Sequence, residues 1–117
     1  MTTEVSKQTE SVLIHHLQVL TGGQLEEVLR DYTEDSVIFT ANGLIKGLAG
    51  IRAFFDASIK NTPPEMVKAF TMIRQDVEGG VAYIIWKAEP FIPLATDTFV
   101  VRNGKIMNQT FVLFTSS

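Results

Sequence analysis

Asp97-Thr98-Phe99-Val100-Val101-Arg102-Asn103-Gly104-Lys105-Ile106 reads as a β-hairpin. Two β-rich runs meet at Asn-Gly, the pair that best tolerates positive φ at both central positions of a tight turn. Carried outward, the arms run from Ala95 to Arg102 and from Lys105 to Thr115. With a two-residue turn, Arg102 faces Lys105. One sheet face then collects Ala95, Asp97, Phe99, Val101, Ile106, Asn108, Thr110, Val112 and Phe114. The other collects Thr96, Thr98, Val100, Arg102, Lys105, Met107, Gln109, Phe111 and Leu113. Both faces hold large apolar groups toward the C-terminal end. Helices on one side cover only one of them. The second face is therefore expected to pack on a second copy of the chain, giving a homodimer through the sheet.

Upstream of the hairpin, Val67–Val77 and Val81–Glu89 read as strands around the turn Glu78-Gly79-Gly80. Pro90-Phe91-Ile92-Pro93 interrupts pairing or forms an edge, and could form a rim. The first half is helical. From Glu4 to Leu20 the residues Val5, Val12, Leu13, Val19 and Leu20 recur at helical spacing, and Thr21-Gly22-Gly23 stops the helix. A short second helix spans Gln24–Thr33, with Leu25, Val28, Leu29 and Tyr32 on one face. Val37–Thr40 and Leu44–Lys46 make a small hairpin. A third helix runs from Leu48 to Lys60 until Pro63-Pro64 ends it. Helices followed by consecutive strands predict an α+β fold, with three N-terminal helices on a curved antiparallel sheet.

The composition narrows the function. A chain of 117 residues, 45% hydrophobic and 20% charged, is expected to form one globular domain over residues 1–117. Absence of cysteine removes disulfides, thiolate metal sites and a cysteine nucleophile. The net charge of -3 comes with scattered rather than clustered lysines and arginines, so no nucleic-acid partner is expected. No apolar run approaches a membrane span, and the N-terminal Met1-Thr2-Thr3-Glu4 lacks the basic region of a leader; a cytoplasmic protein is expected. There is no phosphate loop and no nucleophile elbow. The adjacent histidines diverge on their helix, and no carboxylate cluster has ligand spacing, so neither metal nor other cofactor is expected.

Three stretches carry a resemblance. Gly23 to Val37, Gly43-Leu44-Ile45-Lys46-Gly47 with Ile51-Arg52-Ala53-Phe54-Phe55, and Asp97 to Ile106 occur in the order of the nuclear transport factor 2-like superfamily. They resemble its SnoaL-like and ketosteroid isomerase-like branch across nearly the whole chain. The resemblance implies a cystatin-like cone around one apolar pocket. It implies no single activity, because isomerases, polyketide cyclases, dehydratases and non-catalytic adaptors share that fold.

His16 and Asp97 are the candidate catalytic residues. His16 falls inside the apolar stripe of the first helix, while His15 points roughly 100° away. An inward imidazole is either a hydrogen-bonded core residue or a pocket acid–base group. Asp97 shares a face with Ala95, Phe99 and Val101, a costly place for a carboxylate unless it works or pairs at a rim. Desolvation raises such a pKa, and a charged His16 nearby would lower it. The resemblance sets His16 where the isomerase branch has an oxyanion-hole tyrosine, and Asp97 where it has a protonated aspartic donor. It sets Thr40 at the general-base position, where threonine has no usable pKa, so that mechanism does not carry over. Asp35, the nearest acid, suits a turn.

Tyr32, Phe55, Trp86 and Phe99, with Thr40, are the candidate substrate-binding residues. Tyr32 and Trp86 combine apolar bulk with a polar tip. Phe39, Phe54, Phe91, Met107, Phe111 and Phe114 add possible lining or plain core. The expected partner is a small apolar or carbonyl-bearing molecule. Either a cofactor-independent isomerase, cyclase or dehydratase polarises its carbonyl, or a non-catalytic binding or adaptor module holds it.

Overall fold

The computed structural model describes residues 2–115; Met1, Ser116 and Ser117, the ends of the expected domain, lie outside the described residues. Its elements are α1 (Thr2–Thr21), α2 (Leu25–Leu29), β1 (Val37–Thr40), β2 (Gly43–Lys46), α3 (Leu48–Lys60), α4 (Pro64–Ala69), β3 (Phe70–Glu78), β4 (Val81–Ala88), β5 (Ile92–Arg102) and β6 (Lys105–Phe114). The six strands form one curved, unclosed sheet in the order β2-β1-β6-β5-β4-β3. The α+β architecture is the expected one.

Two details of the expected fold are corrected. The sheet is not wholly antiparallel: β1 lies parallel to β6, pairing Val37 with Asn108, Ile38 with Gln109 and Phe39 with Thr110. Most of the chain separates these strands, so no tight turn forces them to reverse. Among the described residues there are also four helices before β3. Pro64 ends nothing further; it stands in the first turn of α4, where its missing N–H and fixed φ are harmless. Phe70, rather than Val67, therefore begins the strand.

The α1 stripe is Thr9, Val12, Leu13, His16 and Val19, all buried, whereas Val5 is exposed. Thr9 Oγ1 donates to Gly79 O at 2.8 Å, tying α1 to the β3–β4 turn. The core joins Leu13 and Val28 to Ile51 and Phe55 of α3 and to Ile38, Ile84, Phe99 and Ile106 of the sheet.

The hairpin pairs Arg102 with Lys105 as the sequence predicts, but the register slips between Val100 and Val101. Val101 opposes Ile106 while Val100 opposes Asn108, so Met107 is an extra residue, a β-bulge. Counting by twos through it mislabels every later residue of β6. Ala95, Asp97 and Phe99 share the helix-facing surface with Gln109, Phe111 and Leu113; Asn108, Thr110, Val112 and Phe114 face outward.

Gly47 joins β2 to α3 at φ 86°, a left-handed conformation. Its N–H donates to Ser36 O at 3.1 Å, and the next amide, Leu48, donates to Glu34 Oε1 at 3.2 Å. A Cβ at position 47 would stand 3.1 Å from that same carboxylate oxygen. Gly47→Ala is expected to lower the unfolding free energy by about 1–3 kcal/mol, measured by urea denaturation.

Candidate functional site

Between the concave sheet face and helices α1, α3 and α4 lies a cavity of about 470 Å³. This is inside the range of about 300–1,000 Å³ usual for small-molecule sites. Its walls are mainly apolar: Leu17 and Leu20 of α1, Phe54, Phe55 and Ile59 of α3, Met66 and Val67 of α4, and Phe70, Ile84, Phe99, Phe111 and Leu113 of the sheet. The exposed residues Thr21, Gly22, Gly23, Pro64 and Lys68 lie on its rim.

The curved sheet sets three polar side chains into this surface, Trp86 on β4, Asp97 on β5 and Gln109 on β6, and α1 sets His16 opposite them. Three of them form a chain. Trp86 Nε1–H donates to Asp97 Oδ1 at 2.9 Å, and Gln109 Nε2–H donates to Asp97 Oδ2 at 2.9 Å. Tyr32 O–H donates in turn to Gln109 Oε1. An indole N–H can only donate, and the Tyr32 bond points the Gln109 amide N–H toward Asp97. Asp97 is thus built to accept. Burial above all, opposed by these two donors, moves its carboxyl from 3.8 up to about 6. At neutral pH it is an anion, and the protonated donor role implied by the isomerase resemblance does not apply. Burial, then the charges of Asp97 and Asp31, push the Tyr32 phenol well above its usual 10, so its proton stays in place.

His16 is 1% exposed. Its ring meets Phe99, Phe55 and Tyr32 edge to face, with centroids 5.3, 5.7 and 6.0 Å apart. Its Nδ1 is buried without a hydrogen-bond partner. Burial, helped by the nearby His15, lowers its pKa from 6.5 to about 4. The imidazole is therefore neutral over the range in which Asp97 ionises, and the expected depression of Asp97 by a charged His16 does not operate. His15 points elsewhere: its Nδ1 lies 2.8 Å from Oδ2 of Asp31, which follows α2.

Of the other expected ligand contacts, Phe55, Trp86 and Phe99 line the cavity. Tyr32 stands behind its surface, hydrogen-bonded to Gln109 and packed against the rings of His16 and Phe55. Thr40 is outside it and is corrected: its hydroxyl donates to Gly43 O at 2.8 Å and accepts the Asn42 N–H at 3.1 Å, closing the β1–β2 turn. Phe39 and Phe114 are exposed on the outer face. Asp35 is exposed in a turn, its N–H bonded to Thr33 Oγ1. Gln109, Phe70 and Phe111 gain importance; the first was placed on the wrong face by the unseen bulge. Among the described residues no group of three histidines or acids could hold a metal ion. None of the described helices is long and apolar enough to cross a membrane.

No protein-family model matches the chain, and no curated protein matches it in sequence. Solved structures do. A nuclear transport factor 2-like (NTF2-like) protein from Pseudomonas putida KT2440 superposes with a TM-score of 0.77 at 16% identity, covering 96% of this chain and 88% of the other. A ketosteroid isomerase-like protein from Kribbella flavida DSM 17836 gives 0.71 at 17%, covering 96% and 82%. A SnoaL-like protein from Burkholderia thailandensis E264 gives 0.74 at 12%, covering 92% and 95%. The chain has the NTF2-like cone fold.

Proposed function

We propose that this NTF2-like fold serves a small-molecule-binding protein whose ligand enters the cavity between helices and sheet and meets Asp97 and His16. The observation that carries this reading is the buried carboxylate of Asp97, held by Trp86 and Gln109 on the wall of an apolar cavity. Both of its donors are neutral, so the desolvated charge has no counter-ion within the fold, which supports a role toward a ligand.

As an enzyme, the protein would work without a cofactor, in the manner of an isomerase, cyclase or dehydratase. Asp97, titrating near 6, is suited to accept a proton from a substrate near neutrality. A neutral His16 offers one N–H to a carbonyl oxygen, a bond strengthened by the apolar surroundings. The second reading, a non-catalytic binding module, rests on the lack of a second acid: Asp97 is the one carboxylate among the described residues that line the cavity. Deuterium wash-in next to the carbonyl of a small bicyclic ketone separates the two. Catalysis predicts exchange about 100-fold faster with wild type than with Asp97→Asn. Equal rates, with the ketone bound, leave the binding module. If native mass spectrometry finds no small molecule on the purified protein and no ketone or alcohol alters Trp86 emission, the ligand reading fails.

The outer sheet face supports a homodimer. Leu44, Phe39, Val112, Phe114, Leu94, Tyr83 and Val81 are all exposed on strands β2, β1, β6, β5 and β4. Sedimentation at tens of micromolar is expected to give a dimer, and Val112→Glu a monomer; a wild-type monomer removes this assembly. The expected compartment is the cytoplasm.

A further inference from the structure

We infer that the ligand is a protonated amine on a compact apolar or aromatic skeleton, its ammonium group seated against Asp97. The inference rests on the reading of the cavity as a ligand site and names the chemistry that the site selects. Asp97 is 6% exposed, and its two hydrogen bonds come from neutral donors. Trp86 and Gln109 therefore solvate the anion without neutralising it. Lys68, the other charged residue on the cavity surface, is solvent-exposed at the rim, where water screens it.

An unbalanced anion in an apolar enclosure favours a cation over a neutral guest. A ligand hydroxyl would add a hydrogen bond and leave the charge as it was. A ligand carboxylate would repel Asp97. An ammonium removes the imbalance and brings two or three N–H donors, more than Asp97 needs. His16 lines the same cavity, and its neutral ring brings no positive charge to compete with the ammonium. The walls suit a cation as well. Trp86 and Phe99 flank the carboxylate on the sheet, and Phe55 and Phe111 add further aromatic lining, a setting that suits a desolvated positive group.

The test uses three guests of one shape: 2-phenylethylamine, 2-phenylethanol and 3-phenylpropionate. Trp86 is the sole tryptophan and bonds directly to Asp97, so its emission reports the site. At near-neutral pH the amine is expected to bind at least about tenfold more tightly than the alcohol, and the carboxylate more weakly than either. Asp97→Asn should abolish the amine's advantage over the alcohol. An alcohol that binds as tightly as the amine, or a preference that survives Asp97→Asn, overturns the ammonium assignment and leaves the ligand cavity standing. Failure of all three to bind overturns both. The wild-type comparison decides the matter even if the variant does not fold.

Discussion

Asp97→Asn is expected to lose about 3 kcal/mol of stability as pH falls from about 6.5 to 4, and His16→Phe to gain about as much, each relative to wild type over the same range. The signs follow from the two displaced pKa values. His16 titrates at about 4 when folded and 6.5 when unfolded, so the unfolded chain takes up the proton first. Its contribution is complete above 6.5 and is lost as pH falls toward 4. Asp97 titrates at about 6 when folded and 3.8 when unfolded, so the folded protein takes up the proton first. Its contribution is complete below 3.8 and is lost as pH rises through 6. In the wild type the two trends oppose one another across nearly the same interval and largely cancel. Removing either residue exposes the other. Asp31, whose carboxyl burial also raises, is present in all three proteins and drops out of the comparison. Urea denaturation at several pH values checks this. An Asp97→Asn profile parallel to wild type would mean that the carboxylate is not the buried anion described.

Phe99→Ala is expected to cost about 3–5 kcal/mol, the range for deleting a fully buried aromatic ring. Phe99 is 1% exposed, packs against His16 at 5.3 Å between centroids, and forms part of the cavity wall two residues from Asp97. Its loss would enlarge the hollow and admit water to the imidazole, so the pKa of His16 should rise from about 4 toward 6.5. Phe99→Leu, which keeps most of the volume, should cost less than about 1.5 kcal/mol and leave that pKa low. Denaturation together with NMR titration of His16 measures both effects. A loss below about 1 kcal/mol for the alanine variant would show that the ring supports neither core nor wall.

Much of this architecture is legible in local chemistry. Asn103-Gly104 fixed the hairpin pairing of Arg102 with Lys105, and the glycines after Thr21 ended α1 where expected. His16 and Asp97 were recognisable because each interrupts an apolar face at the right period. What failed depended on position in space. No residue of β6 announces that Met107 is extra, so strict alternation sent Gln109, Phe111 and Leu113 to the outside. The bond from Gln109 to Asp97 was thereby hidden, and the outer apolar face carries Val112 and Phe114 in place of Phe111 and Leu113. Val67, a good strand former, was captured by α4 because Pro63-Pro64 starts a helix as readily as it stops one. Thr40 was assigned by its place in a family pattern, while its hydroxyl is committed to the adjacent turn.

Helix α4 gives the cavity its entrance behaviour. None of its residues is fully buried, yet Pro64, Met66, Val67 and Lys68 close one side of the hollow. Such a segment detaches from the body at far less than the free energy of global unfolding. Amide hydrogens of residues 66–69 should therefore exchange with solvent well before those of β5, and a bound guest should slow them. Admission of a ligand then requires only this single turn and a half of helix to swing aside, while the strands holding Asp97 and its donors keep their places.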